Sequence, residues 1–174
     1  KQPLTSEGDG YWFALIRNVE PGHQYKYIIE TPDGRLLEKN DPRARAITSS
    51  DKGFSVVVDN NFDWQNDANF AMPPRQDQVI YELHIGTFNR PDAATSGTFD
   101  SAIEKLDYLR DLGVNIIELM PITSMAFSNG WGYAPNHIFS VESMLGGRHG
   151  LMKFVRECHT RGIGVVLDVV YNHF

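Results

Sequence analysis

The residues whose types and spacing could do chemistry are Asp168 and His173, five positions apart near the end of the chain. Asp168 comes late in residues 163–170, an apolar, β-branched run broken only by Gly164 and the Asp itself. Such a run reads as a strand buried on both faces of a parallel sheet. A carboxylate at its C-terminal end stands where the loops after parallel strands gather and where barrel enzymes place their sites. Asp is also a favoured helix cap, so position alone leaves both roles open. The second feature is Trp131-Gly132-Tyr133, two aromatics joined by a glycine. Aromatic faces stack on the apolar faces of sugar rings, and glycine lets a backbone approach closely. The same aromatics would equally serve to pack a loop down on itself.

The elements that must position these groups are legible upstream. Residues 79–85 (VIYELHI) and 115–120 (NIIELM) have strand character, and Gly86 and Pro121 end them. Between them, Phe99, Ile103, Leu106, Leu109 and Leu112 recur at helical spacing, predicting a helix over 98–112 with Thr98 or Asp100 as its cap and Gly113 as its stop. A second helix is predicted over 150–161, with Leu151, Phe154, Val155 and Cys158 on one face and Gly162 beyond it. The loop over 122–147 exceeds twenty residues, long enough to be read as functional. Strand, helix, strand, helix, strand is a right-handed βαβαβ unit, from either a doubly wound sheet or part of a barrel.

Residues 1–74 read differently. Residues 11–17, 24–30 and 54–59 are short, aromatic-rich and β-branched, with Pro21-Gly22 and Asp33-Gly34 as turns, which suggests an antiparallel sandwich. Tyr25, Tyr27 and Ile29 share one face, read as sandwich core in preference to a sugar-stacking platform. Three strands fall short of the roughly seven a sandwich takes, so the module is expected to be incomplete. Residues 60–74, with Trp64 and Pro73-Pro74, read as a semi-rigid linker that packs one aromatic against a neighbour.

Composition excludes several classes. The 174 residues carry a net charge of -6 without a clustered basic face, which disfavours nucleic acid as a partner. No apolar run approaches the ~20 residues of a membrane span. The one cysteine, Cys158, allows no internal disulfide and fits a reducing, cytoplasmic setting, where it reads as a small buried hydrophobe. Glycines after the first barrel-type strand lack the spacing of a nucleotide fingerprint, and the six histidines form no zinc motif, so neither a cofactor nor a metal is expected.

The ordered set VIYELHIGTF, ELMPI, NGWGYAPNHIF and GRHGLMKFVRECHTRGIGVVLDVVYNHF resembles the opening third of an α-amylase superfamily (glycoside hydrolase family 13) barrel, in its branching enzyme, isoamylase and trehalohydrolase branch. PGHQYKY and NDPRAR are similar to the β-sandwich that precedes the barrel in that branch. The resemblance implies an incomplete, Ig-like β-sandwich and linker over 1–74, followed over 75–174 by the first three βα units of a (β/α)8 barrel. It implies an enzyme acting on α-glucan oligo- or polysaccharides, most closely like a branching enzyme. By the resemblance Tyr133 stacks on the sugar at the scissile bond, Asp168 and His173 bond its hydroxyls, Trp131 adds to the site, and Asn172 supports the loop and binds calcium in some members. The nucleophile and general acid fall after residue 174 in that pattern, so none of the residues present is catalytic and the fragment alone is expected to be inert. Glu82 and Glu118 read as barrel-interior or structural carboxylates. Leu145 and Arg148 depart from the family, which frequently has Tyr and Pro there. Rival readings are a non-catalytic glucan-binding protein and an unrelated barrel or doubly wound enzyme. An unpaired parallel edge would further expose the fragment to self-association.

Overall fold

The computed structural model describes residues 1–48, 53–125 and 131–172. Its centre is a three-stranded parallel sheet. To number elements in chain order, the N-terminal strands are β1 (Thr5–Gly8), β2 (Tyr11–Phe13), β3 (Gln24–Tyr25), β4 (Tyr27–Glu30), β5 (Leu36–Lys39) and β6 (Ser55–Val56). The parallel strands are β7 (Ile80–Leu83), β8 (Ile116–Leu119) and β11 (Gly164–Leu167), in spatial order β11-β8-β7. Helices α1 (Ile85–Phe88), α2 (Phe99–Ile103) and α3 (Leu106–Asp111) follow β7, and α4 (Gly147–Thr160) precedes β11. The sheet is open, not a closed barrel, and both outer strands have a free edge among the described residues.

One face of this sheet is covered by helices. Leu83, Ile117 and Leu119 join Phe99, Leu106, Leu109, Phe154 and Cys158 in one buried cluster, with Val165 packed against it. Burying each such large side chain contributes roughly 1.5–3 kcal/mol. Strand alternation sends Glu82, Glu118 and Val166, which stand in register, to the opposite face. At the start of β11 that face is covered by the linker, because Met72 and Ile116 fill the space beside Gly164, where a Cβ would lie 2.5 Å from the Met72 sulfur, while Ile80 on β7 stays exposed. The C-terminal end of the same face is left for the site.

Several expectations need correction. The single helix over 98–112 is two, broken at Glu104 and Lys105, although Thr98 and Ser101 do form the capping box at its start. The strand over 79–85 stops at Leu83 and turns into α1. The long loop over 122–147 contains an antiparallel pair, β9 (Thr123–Met125) with β10 (Pro135–Val141).

Among the described residues the N-terminal part shows no sandwich core. Its strands pair as three separate two-stranded ladders, β1-β2, β3-β6 and β4-β5. Of the row read as core, Tyr25 is half-buried while Tyr27 and Ile29 are 38% and 49% exposed, and Tyr11 and Trp12 are exposed as well. Two to four residues per strand provide too little apolar area to hold two layers together. Order comes instead from polar links: the Tyr25 hydroxyl donates to Asp41 at 2.6 Å, and the Asp41 N–H donates to Ser55 Oγ at 2.9 Å beside buried Ala44.

The linker is strapped along α4. Arg148 donates to the Asp59 carbonyl at 2.8 Å and Arg156 to that of Asp63 at 3.0 Å. His159 pairs with Asp67 at 2.6 Å and stacks on Phe70 with ring centres 3.8 Å apart. The engaged aromatics are Phe62, edge-on to His149 and to Trp64 with ring centres 5.2 and 4.8 Å away, and Phe70.

Candidate functional site

Asp168 follows β11 directly, and its N–H continues the ladder to the Leu119 carbonyl at 2.8 Å. It thereby stands half-buried at the C-terminal end of the strands. Tyr133 arrives from the loop between β9 and β10, and its hydroxyl donates to Asp168 Oδ2 at 2.6 Å. That bond is the main reason the Tyr133 phenol is pushed up to about 12, with partial desolvation and the negative charges of Asp168, Glu82 and Glu118 acting the same way. Glu82 and Glu118 therefore feel the same site from the face opposite the helices. His84, the last residue before α1, stands at this strand end too, its half-buried imidazole lowered in pKa by burial.

Gly132 explains how Tyr133 gets there. Its φ is +86°, and a Cβ would lie 2.1 Å from the carbonyl oxygen of Pro121, which is fully buried. The close approach that glycine permits is thus to the end of β8, which pins Tyr133 over the strand ends. Trp131, with φ +50°, is 59% exposed and its ring is open to solvent. Asn172 is exposed. His173 lies outside the described residues. Among the described residues no three His, Cys, Asp or Glu side chains gather into a group able to hold a metal. No helix among them is long and apolar enough to cross a membrane.

One residue escaped the sequence reading. Glu142 is buried, 7% exposed, and accepts hydrogen bonds from the backbone of Met125 and Met144. A Glu between Val141 and Ser143 carries no pattern that marks it as buried. The two departures also find places: Leu145 is 4% exposed within the core cluster, and Arg148 holds the linker. Cys158 is fully buried, and burial pushes its thiol well above the usual range.

An open parallel sheet with helices on one face thus carries an aromatic and a carboxylate joined at its C-terminal end, where parallel α/β enzymes place their sites. The family profile described as "Alpha amylase, catalytic domain" matches residues 82–174, more than half of the chain, and the chain belongs to that family. The malto-oligosyltrehalose trehalohydrolase of Saccharolobus solfataricus is 41% identical over 170 residues, which cover 98% of this chain and 28% of that protein. The 1,4-alpha-glucan branching enzyme GlgB of Bacillus caldolyticus is 37% identical, over 99% of this chain and 27% of that protein. The solved catalytic module of the pneumococcal glycogen-degrading virulence factor SpuA superposes with a TM-score of 0.80 at 29% identity, over 97% of this chain and 31% of that one. The chain thus spans less than a third of the length of these relatives.

Proposed function

We propose that this chain is the opening part of an α-glucan-active enzyme, a retaining glycosidase or transglycosidase most like a branching enzyme. In this reading residues 75–174 supply the first three βα units of a (β/α)8 barrel, and residues 1–74 the end of a carbohydrate-binding-type β-sandwich with its linker. Tyr133 stacks on a glucose ring, Trp131 extends the aromatic surface, and Asp168 and His173 bond sugar hydroxyls while Asn172 supports their loop. The observation that carries the reading is the 2.6 Å bond between Tyr133 and Asp168 at the C-terminal end of the parallel strands. It leaves Asp168 Oδ1 to accept a ligand hydroxyl next to Tyr133, which is 39% exposed.

Retaining chemistry needs a nucleophile and an acid about 5 Å apart. The reading places both outside these residues, so Asp168 acts on the sugar's hydroxyls and not on its anomeric carbon. Hydrogen bonds that strengthen as the ring becomes oxocarbenium-like favour the transition state over the ground state. Cys158, single and buried, fits a cytoplasmic enzyme of glucan metabolism. The experiment that tests the reading is steady-state kinetics of Asp168→Ala and Tyr133→Ala in the full-length protein on a soluble maltooligosaccharide.

A further inference from the structure

Glu142 makes more bonds than a structural turn requires. Its N–H donates to the Ile122 carbonyl at 2.8 Å, and its own carbonyl accepts from Leu145 at 3.2 Å and Gly147 at 3.1 Å. Its carboxylate Oε1 accepts from Met144 N at 3.1 Å and from Ser143 Oγ at 3.3 Å, which caps the short 3-10 turn Ser143–Leu145. The remaining oxygen, Oε2, reaches out of that turn to Met125 N at 3.3 Å, on β9. A carboxylate held at 7% exposure with no ion pair among the described residues is costly to bury unless its oxygens are hydrogen-bonded, and here three donors do that.

A cap would need only the bonds to Ser143 and Met144. The bond to Met125 serves a different end, because Met125 is the last residue of β9 and the chain that leaves it carries Trp131, Gly132 and Tyr133 before it returns as β10. Glu142 follows β10 at the end opposite that loop, where Val141 stands across from Thr123, and its side chain reaches back along the hairpin to Met125. Met125 is also the residue that Pro135 pairs with, two positions after Tyr133, so the clamp on Met125 bears on the segment that carries Tyr133 to Asp168.

We propose that Glu142 is a positioning residue, whose buried carboxylate clamps Met125 to the start of the 3-10 turn and, through the pairing of Met125 with Pro135, holds Tyr133 where it reaches Asp168. The importance of that reach rests on the proposed sugar site, but the geometry does not. The test is the tyrosine ring ¹³Cζ chemical shift at pH 8 in this chain, with Tyr133→Phe used to assign the Tyr133 signal and Asp168→Asn to give the shift of a phenol without its carboxylate partner. Glu142→Ala is expected to move the Tyr133 signal to its Asp168→Asn position while the other tyrosines stay in place. Glu142→Gln, which keeps the shape but sets an amide donor against a backbone donor, is expected to move it part of the way. A folded Glu142→Ala chain with the Tyr133 signal at its wild-type position overturns the proposal. Should Glu142→Ala fail to fold, an unmoved signal in Glu142→Gln overturns it equally. No glucan enters this measurement, so its failure is separate from a failure of the sugar-binding reading, which the kinetics of Asp168→Ala report.

Discussion

Tyr133 and Asp168 are 35 residues apart in sequence and joined by a 2.6 Å hydrogen bond, because two independent devices bring them together. The ladder bond from the Asp168 N–H to Leu119 fixes one partner. The contact of Gly132 with Pro121 fixes the other.

Gly132→Ala tests the second device. A left-handed backbone costs a residue with a Cβ about 1–2 kcal/mol. The clash at 2.1 Å is with backbone that cannot rotate away, so the loop must lift. Thermal unfolding should show a loss of at least that size, and the Tyr133 ¹³Cζ shift should move toward its Asp168→Asn value. An unchanged midpoint would mean that the loop carries no fixed geometry.

The same bond has a pH signature. The Tyr133 phenol is raised to about 12 in the folded chain from an ordinary 10, so the folded state keeps a proton that the unfolded state loses. The stabilisation is fully present below pH 10 and disappears as the pH rises from 10 toward 12. Unfolding midpoints should therefore fall more steeply between pH 9.5 and 11 in the wild type than in Tyr133→Phe. Parallel slopes would show that the phenol keeps its ordinary pKa in the folded chain.

The linker offers a third check. Phe70→Ala removes the stack on His159, and Arg148→Pro, the residue frequent in the family, removes the bond to Asp59 while leaving a proline in the first turn of α4, where helices tolerate it. Each loss of about 1 kcal/mol should speed proteolysis within residues 59–72 several-fold with helix content unchanged. Equal cleavage rates would place the linker's restraint elsewhere.

The catalytic-domain half was far more legible in the sequence than the rest. The apolar runs in 115–120 and 163–170 marked two of the parallel strands, although β11 is not buried on both faces as its run suggests, since Val166 and Leu167 are exposed. Of the two caps offered for the helix, Thr98 is the one that starts α2. Asp168 and Tyr133 were visible because a carboxylate closing such a run and an aromatic pair around glycine are both unusual. The break at Glu104 and Lys105 was hidden because neither residue is a helix breaker. The pairing of Thr123–Met125 with Pro135–Val141 was hidden because three residues of mixed polarity carry no period. The N-terminal strands were read as a sandwich from composition, and among the described residues they pair only as separate two-stranded ladders, with strands as short as β3 and β6. Glu142 and the straps from Arg148 and His159 depend on partners 17 to 92 residues away, which local pattern does not encode.

The central claim, that Asp168 and Tyr133 form the sugar-facing part of a glucan-active site, is tested most directly by steady-state kinetics in the full-length protein. Asp168→Ala should lower kcat by about 10²–10³ with a small change in KM, the loss expected for one well-aimed electrostatic contact made stronger in the transition state. Tyr133→Ala should raise KM along with a fall in kcat, because stacking also holds the ground state. A folded Asp168→Ala enzyme with near-normal kcat on a soluble maltooligosaccharide would contradict the account and leave Asp168 as a structural residue.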